Sequence, residues 1–90
     1  MKVKIKDFLK QSNWTQGQFA RDEDGNSCAA IDARAKKFCL MGAAYKCFSN
    51  ETEMILDLLN RELQGDALGW NDAPGRTFAE VKAVIEKLDI

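Results

Sequence analysis

The sequence predicts a mainly α-helical fold, with about four helices packed around a central buried helix and one small β-hairpin. From Phe38 to Phe48 only Lys46 breaks an apolar stretch, which indicates that a helix over residues 30–48 is buried on nearly every side. Segments with a helical apolar period lie on both sides of it. A single Asp24-Gly25 pair, typical of hairpin turns, accounts for the β element.

Length and composition indicate one folded domain spanning residues 1–90. The chain has 90 residues, of which 46% are hydrophobic and 30% charged, values typical of a globular rather than a disordered protein. Its apolar runs are shorter than the ~20 residues that a membrane span needs. Met1–Asp7 is basic and lacks the apolar core of a signal peptide. We therefore expect a cytoplasmic protein without membrane contact.

Charge is unevenly distributed along the chain, although the net charge is only −1. Residues 1–48 carry nine Lys/Arg and five Asp/Glu, whereas residues 49–90 carry four and nine. The simpler interpretation is a solvated surface. The alternative is a polarity that orients a partner or drives head-to-tail contact. A nucleic-acid binder usually has a stronger basic bias, so the composition disfavours that class.

The three cysteines are predicted to be unpaired. Cys39 and Cys47 fall on the predicted central helix, about 12 Å apart at the usual rise per residue, which is too far for a disulfide. They are expected to be small buried hydrophobic side chains, and Cys28 has no evident mate. The sequence contains no histidine and no CxxC pair. We expect neither a metal site nor another cofactor.

The N-terminal third is predicted to form a short helix and then the hairpin. The helix should cover residues 4–12 and bury Ile5, Phe8 and Leu9. Trp14 should anchor the chain in the core against Leu9. The hairpin strands are predicted at Gln18–Asp22 and Asn26–Cys28. Residues 22–26 faintly resemble a calcium loop, but Ser27 and Ala33 stand where its glycine and glutamate should be, so the turn interpretation is preferred.

The sequence also predicts a close contact on the central helix and the bounds of the helix that follows it. Gly42 costs about 1 kcal/mol relative to alanine inside a helix, so we expect another segment to pack closely against it. The next helix is predicted to begin at an Asn50 cap and to stop at Gly65.

A polar loop leads into the last helix. Ala73–Gly75 should form a turn, and the short side chains of Asn71 and Asp72 should bond nearby backbone N–H groups. Thr77 and Glu80 have the spacing of a capping box, in which each side chain bonds the backbone N–H of the other. The loop should therefore be fixed by a strong helix start.

Several short motifs follow one another along the chain: Trp14, Gln16-Gly17, Ala20-Arg21-Asp22, Asp24-Gly25, Phe38-Cys39, Gly42-Ala43, Trp70-Asn71-Asp72, Arg76-Thr77 and Glu80-Val81. In their order and spacing they resemble a family of small uncharacterised bacterial and phage proteins. The resemblance covers most of the chain from Trp14 onward, and Phe38 stands where tryptophan is common. It implies the fold and a bacterial or phage setting, and no mechanism.

An enzyme or a small-molecule-binding protein is one functional hypothesis. Two carboxylates could act as acid and base, and an arginine could hold an anion. No nucleophile with an evident base beside it is present in the sequence. The structural alternative is that these groups build turns and satisfy backbone atoms, and it is preferred. The candidate residues are Arg21, Asp22, Asn71, Asp72 and Arg76.

A non-enzymatic protein-binding or regulatory module is the preferred hypothesis. Tryptophan and arginine are enriched among interface hot spots, and Trp70 and Arg76 lie in the polar loop. Trp70 should also anchor that loop in the core. An exposed Trp70 with Arg76 on a flat surface would favour a protein partner. A concave pocket would favour a small ligand. The predicted binding residues are Arg21, Asp22, Trp70, Asn71, Asp72 and Arg76.

Nucleic acid is the third hypothesis and ranks last. The basic N-terminal segment could contact phosphates through Lys2, Lys4, Lys6 and Lys10. The acidic second half of the chain would repel a duplex.

Overall fold

A computed structural model describes residues 3–90, and within that range the chain forms five α-helices, one 3-10 helix and a three-stranded sheet. The prediction of a mainly helical fold with a small β element is confirmed. The helices are α1 Ile5–Phe8, α2 Leu40–Cys47, α3 Thr52–Glu62, α4 Ala67–Asp72 and α5 Phe78–Leu88; the 3-10 helix is Gln11–Asn13; the strands are β1 Ala20–Arg21, β2 Ser27–Cys28 and β3 Lys37–Phe38.

The sheet has three strands rather than the two of the predicted hairpin. β1 lies in the middle and pairs antiparallel with both β2 and β3, so that Ala20 is opposite Cys28 on one side and Phe38 on the other. The hairpin turn is present where it was predicted. The Asp22 carboxylate accepts from the backbone N–H groups of Asp24 at 3.0 Å and Asn26 at 2.9 Å, which closes the turn.

The central helix begins ten residues later than predicted, so the predicted start at Ala30 is wrong. Residues 30–34 form turns, in which the Asp32 carboxylate accepts from the backbone N–H of Arg34 at 2.8 Å. The backbone of Phe38 pairs with β1 in the sheet. Cys39 is the N-cap of α2, and its Sγ accepts from Gly42 N at 3.2 Å. Sheet pairing and local side-chain bonds thus outweigh helix formation before Leu40.

Helix α2 is central, but it is not buried on nearly every side. It packs against α1, α3 and α4, while α5 packs against α1. Tyr45 and Lys46 are exposed, which corrects the prediction of an almost fully covered helix. The core surrounding α2 contains large side chains with no solvent exposure: Ile5, Leu40, Leu59, Val81 and Ile85. Burying each of these stabilises the fold by about 1.5–3 kcal/mol.

The close packing predicted at Gly42 is confirmed. A Cβ atom on this residue would overlap the backbone carbonyl of Phe19. The same carbonyl oxygen accepts from Cys39 N at 3.1 Å. The absence of a side chain at position 42 therefore lets the segment before β1 lie directly on the first turn of α2.

The first helix is shorter than predicted. It ends at Phe8 rather than near residue 12, and the 3-10 helix follows. The Asn13 side chain explains the break, because its Nδ2 donates to Phe8 O at 3.1 Å and its Oδ1 accepts from Lys10 N at 2.6 Å. These bonds replace continued helical pairing. Trp14 is half-buried and packs against the core, with its ring 6.2 Å from that of Phe78 between centroids.

Two helix boundaries in the second half also differ from expectation. Helix α3 has Glu51, not Asn50, as its N-cap, because the turn after α2 continues through a bond from Glu51 N to Phe48 O. Helix α3 ends at Glu62 with Leu63 as its C-cap, earlier than the predicted stop at Gly65, because the chain already turns left-handed at Gln64, with a φ of 60°, before Gly65, with a φ of 115°. Residues 67–72, predicted as loop, form α4, whose N-cap Asp66 accepts from Gly69 N at 2.9 Å. None of the helices between residues 3 and 90 has the length and apolar content to span a bilayer.

Candidate functional site

The predicted capping box is present at the start of α5. Glu80 Oε1 accepts from Thr77 N at 3.0 Å, and Thr77 Oγ1 accepts from Glu80 N at 3.3 Å. The bond from the Thr77 backbone, followed by that from its hydroxyl, lowers the pKa of Glu80. The charged carboxylate thus stabilises the exposed helix terminus.

Arg76 and Trp70 form a stacked pair beside this cap. The guanidinium carbon lies 4.0 Å from the centroid of the Trp70 ring, within the range of a cation–π interaction. Arg76 Nε donates to Trp70 O at 2.8 Å, and its Nη1 donates to Glu80 Oε2 at 2.8 Å. Trp70 is half-buried and packs against the core. The arginine therefore covers one face of the ring and holds the loop between α4 and α5 in place.

Asn71 is the most buried of the predicted site residues, with no solvent exposure. Its Oδ1 accepts from Trp14 Nε1 at 2.8 Å and from Leu40 N at 3.1 Å. Its Nδ2 donates to Thr15 O at 3.3 Å and to Asp72 Oδ1 at 2.8 Å. The prediction that Asn71 and Asp72 bond nearby backbone N–H groups is wrong. Most partners of Asn71 are remote in sequence, and the backbone N–H that Asp72 accepts from belongs to Gly17. The residue connects α4 to the first turn of α2 and to the segment after the 3-10 helix.

A loop formed by residues 14–17 receives further bonds from α4. Gln16 Nε2 donates to Asn71 O at 2.8 Å and to Ala73 O at 3.0 Å. Gly17 N donates to Asp72 Oδ1 at 3.0 Å. Helical periodicity gives no indication of these contacts, and the only sequence signal was the W-x-Q-G motif of the resemblance.

Arg21 approaches the same loop from the sheet. Its Nε donates to Thr15 Oγ1 at 3.1 Å, its Nη2 to Gln16 O at 3.1 Å and its Nη1 to Gly25 O at 3.0 Å. The guanidinium thus joins the 14–17 loop to the hairpin turn. Its neighbour Asp22 closes that turn, as described above.

The six predicted binding residues do not line one common pocket. Arg21, Asn71 and Asp72 meet at the 14–17 loop, whereas Trp70 and Arg76 stack beside the α5 cap. Asp22 borders a groove of about 330 Å³ together with acidic and basic side chains of the hairpin and of residues 33–36. Asp72 borders a different groove of about 180 Å³. Most of the hydrogen-bonding capacity of these residues is used inside the protein.

An exposed apolar surface lies next to this network. We call it the Phe19 patch, and it consists of Phe19, Ile31, Tyr45 and Leu68, which are 44%, 71%, 38% and 37% exposed. The rings of Phe19 and Tyr45 meet edge to face, with centroids 5.8 Å apart. Phe19 also lines two grooves, one of about 220 Å³ shared with Ile31 and Tyr45 and one of about 180 Å³ shared with Leu68. Sequence reasoning missed this surface because its members come from four separate segments.

The cysteine thiols are free, and burial shifts their acidity. Burial raises the pKa of Cys47 to about 11 and also raises that of Cys39. A thiol with a raised pKa carries little thiolate at neutral pH and is a poor nucleophile. The prediction that both side chains are buried is confirmed. No cluster of three His, Cys, Asp or Glu residues able to hold a metal ion occurs within residues 3–90.

The basic N-terminal segment is partly neutralised. Asp89 Oδ1 lies 3.0 Å from Lys4 Nζ and 2.5 Å from Lys6 Nζ. These contacts, led by the bond from Lys6, lower the pKa of Asp89 to about 2. Lys2, also considered as a phosphate contact, lies outside the described residues. The lysines at positions 4 and 6 therefore have an acidic partner within the fold.

These features define a small helical domain that carries a minor sheet, an internal polar network and an exposed apolar patch. The chain belongs to a family of unknown function, DUF6197, whose model matches residues 4–88. The resemblance to a family without an assigned activity is thereby confirmed. No curated protein and no solved structure matches the chain.

Proposed function

We propose that this chain is a non-enzymatic protein-binding module that works in the cytoplasm of a bacterial or phage-infected cell. The observation that carries the proposal is the Phe19 patch. Four large apolar side chains from separate segments converge on one surface and remain exposed. Contiguous exposed apolar patches are uncommon on soluble monomeric proteins, and they often mark sites of protein contact. The expected partner is a polypeptide that presents apolar side chains.

The rigidity of the patch supports this proposal. The Phe19 backbone is fixed by the bond from Cys39 N and by its close packing on Gly42. Helix α4, which carries Leu68, is held to the 14–17 loop and to α2 through Asn71. A preorganised surface loses less conformational entropy on binding, so more of the contact energy remains as affinity.

The catalytic or small-ligand alternative would use Arg21, Asp22, Asn71, Asp72 and Arg76. The geometry favours it less, because Asn71 has no exposed surface and Arg21 makes three bonds to protein acceptors. Asp22 and Asp72 border separate grooves, so a ligand bound in one would not contact both. A concave pocket shared by Arg21, Asp22 and Asp72, which would favour a small ligand, is therefore not formed. The exposed Trp70 that would favour a protein partner is not present either, because the ring is half-buried and Arg76 covers one face of it, so the proposal of a protein partner rests on the Phe19 patch.

The proposal is tested by substituting one exposed residue in the patch and one outside it. Ile31→Arg places a charge in the patch, while Met54→Arg makes the same kind of change on α3, where Met54 is 59% exposed. Each protein is immobilised and incubated with bacterial lysate, and stoichiometric partners are read by mass spectrometry. We expect a partner retained by wild type and Met54→Arg and lost by Ile31→Arg. Equal retention by all three would refute a role for the patch.

A further inference from the structure

The two ends of the Phe19 patch carry opposite charges. At the Tyr45 end, Lys46 lies four residues after Gly42, whose backbone faces Phe19, so helix geometry places it on the same stripe of α2. At the Leu68 end, Asp72 lies four residues further along α4 and borders the groove shared with Phe19. None of the ion pairs within residues 3–90 uses Lys46. A cation therefore stands at one end of the apolar surface and a carboxylate at the other.

This polarity follows the charge distribution of the whole chain. Phe19, Ile31, Tyr45 and Lys46 belong to the basic half, residues 1–48, whereas Leu68 and Asp72 belong to the acidic half. The patch therefore lies where the two halves meet. The net charge of −1 leaves little long-range repulsion between two copies.

We infer that the occupant of the Phe19 patch is a second copy of this chain, related to the first by a two-fold axis that passes beside Phe19. The inference rests on the proposed function, because it names the polypeptide that the same surface binds. A two-fold axis places the patch of one copy against the same patch of the second copy, in antiparallel orientation. It brings Lys46 of one copy against Asp72 of the second, and Asp72 against Lys46, while the two Phe19 rings meet at the centre.

The energetics of such an interface are divided between its centre and its rim. The apolar centre supplies most of the affinity, and the two ionic contacts fix orientation rather than strength. A standard interface buries about 800 Å² on each partner. That area is roughly one seventh of the 5436 Å² accessible surface. An interface of standard size centred on the Phe19 patch would therefore leave most of the surface of each copy exposed.

Sedimentation equilibrium over a range of concentrations tests the inference. We expect wild type to dimerise, and Ile31→Arg to weaken the dimer at least about tenfold, the loss expected of an interface hot spot. Lys46→Glu should weaken it more than Lys46→Ala, because the new carboxylate faces Asp72 of the second copy. Met54→Arg and Lys82→Glu change exposed residues on α3 and α5 and should dimerise like wild type. Circular dichroism melting confirms that each variant is folded.

Cross-linking tests the axis itself. A residue beside a two-fold axis contacts its own counterpart, so Phe19→Cys should form an intermolecular disulfide in the presence of a mild oxidant. Met54→Cys and wild type should remain uncross-linked, and wild type controls for the three native thiols. Cross-linking of Met54→Cys but not of Phe19→Cys would overturn the proposed geometry.

The outcomes separate this inference from the proposed function. A monomeric wild type that captures an Ile31-dependent partner from lysate would overturn self-association and leave protein binding at the patch intact. A monomeric wild type without any such partner would overturn both. A dimer insensitive to Ile31→Arg and Lys46→Glu would show that the copies meet through another face, and it would also overturn the inference. Loss of the dimer in both variants, with both controls unchanged, would support it.

Discussion

Replacing Asn71 by alanine should remove the main polar connection between α4, α2 and the 14–17 loop. The substitution leaves Trp14 Nε1, Leu40 N and Thr15 O without the side-chain partners that lie 2.8, 3.1 and 3.3 Å away in the wild type. Leu40 N is the first N–H of α2 and has no acceptor within its own helix. Asn71 therefore caps α2 from another element.

The expected loss of stability is about 3–5 kcal/mol. Each buried group left unsatisfied costs about 1–3 kcal/mol, and partial access of water to the site reduces the sum. A 90-residue domain is stable by roughly 5–13 kcal/mol, so the variant should fold with a strongly reduced margin. The assay is urea denaturation followed by far-ultraviolet circular dichroism. The matched control is Asn50→Ala, an exposed asparagine that should change stability by less than about 0.5 kcal/mol.

Asn71→Asp keeps the shape of the side chain and changes its hydrogen bonding, so it separates the two contributions that Asn71 makes to the free energy of unfolding. The aspartate keeps the acceptor for Trp14 and Leu40 but places an oxygen where Nδ2 donates to Asp72 Oδ1 at 2.8 Å. Burial and the neighbouring carboxylate both raise the pKa of the new group. Its destabilisation relative to wild type should therefore shrink as pH falls and the group is protonated. A loss below about 1 kcal/mol for Asn71→Ala, or equal losses for Asn71→Ala and Asn50→Ala, would refute this reasoning.

Three further predictions concern packing, capping and pH. Gly42→Ala should destabilise the fold by about 1–3 kcal/mol, because the new Cβ overlaps the Phe19 carbonyl; an unchanged urea midpoint would contradict the close packing. Thr77→Ala should cost about 1 kcal/mol by removing the bond to Glu80 N, and a melting temperature equal to wild type would count against the capping box. The folded-state pKa of Asp89, about 2, lies below the ordinary value of 3.8, so the stability that its ion pairs add is present above pH ~4 and is lost as pH falls from about 4 to 2. The advantage of wild type over Asp89→Asn should therefore disappear across that interval, and an advantage that stays constant from pH 6 to 2 would contradict the assigned ion pairs.

Local signals in the sequence were sufficient wherever structure depends on residues close in the chain. The capping box at Thr77 and Glu80 and the hairpin turn at Asp24-Gly25 are decided by side chains within a few residues of each other. Gly42 belongs with these successes, because the penalty of glycine inside a helix indicates a close neighbour without identifying it.

Nonlocal partners explain most of the errors. Residues 30–36 contain helix-compatible side chains, but β3 forms beyond them because Phe38 pairs with Ala20, which lies 18 positions earlier. Asn71 has the composition of a turn residue, and only the fold brings Trp14 and Leu40 to its amide. A propensity or turn rule cannot include such partners, since it considers a window shorter than these separations.

The Phe19 patch could not be predicted from the sequence either, because its members are far apart in the chain. The hydrogen bonds of the polar network hold the patch in place. Phe19 is fixed through Cys39 and Gly42, and Leu68 is carried by α4, which Asn71 holds. A variant of Asn71 would therefore weaken binding by disordering the patch, without touching the partner. Ile31 is 71% exposed and lines the groove that it shares with Phe19 and Tyr45, so its substitution should reduce binding while the melting temperature stays near that of wild type. A binding defect with intact stability in Ile31→Arg, beside a combined defect in Asn71→Ala, would distinguish the contact surface from the scaffold that supports it.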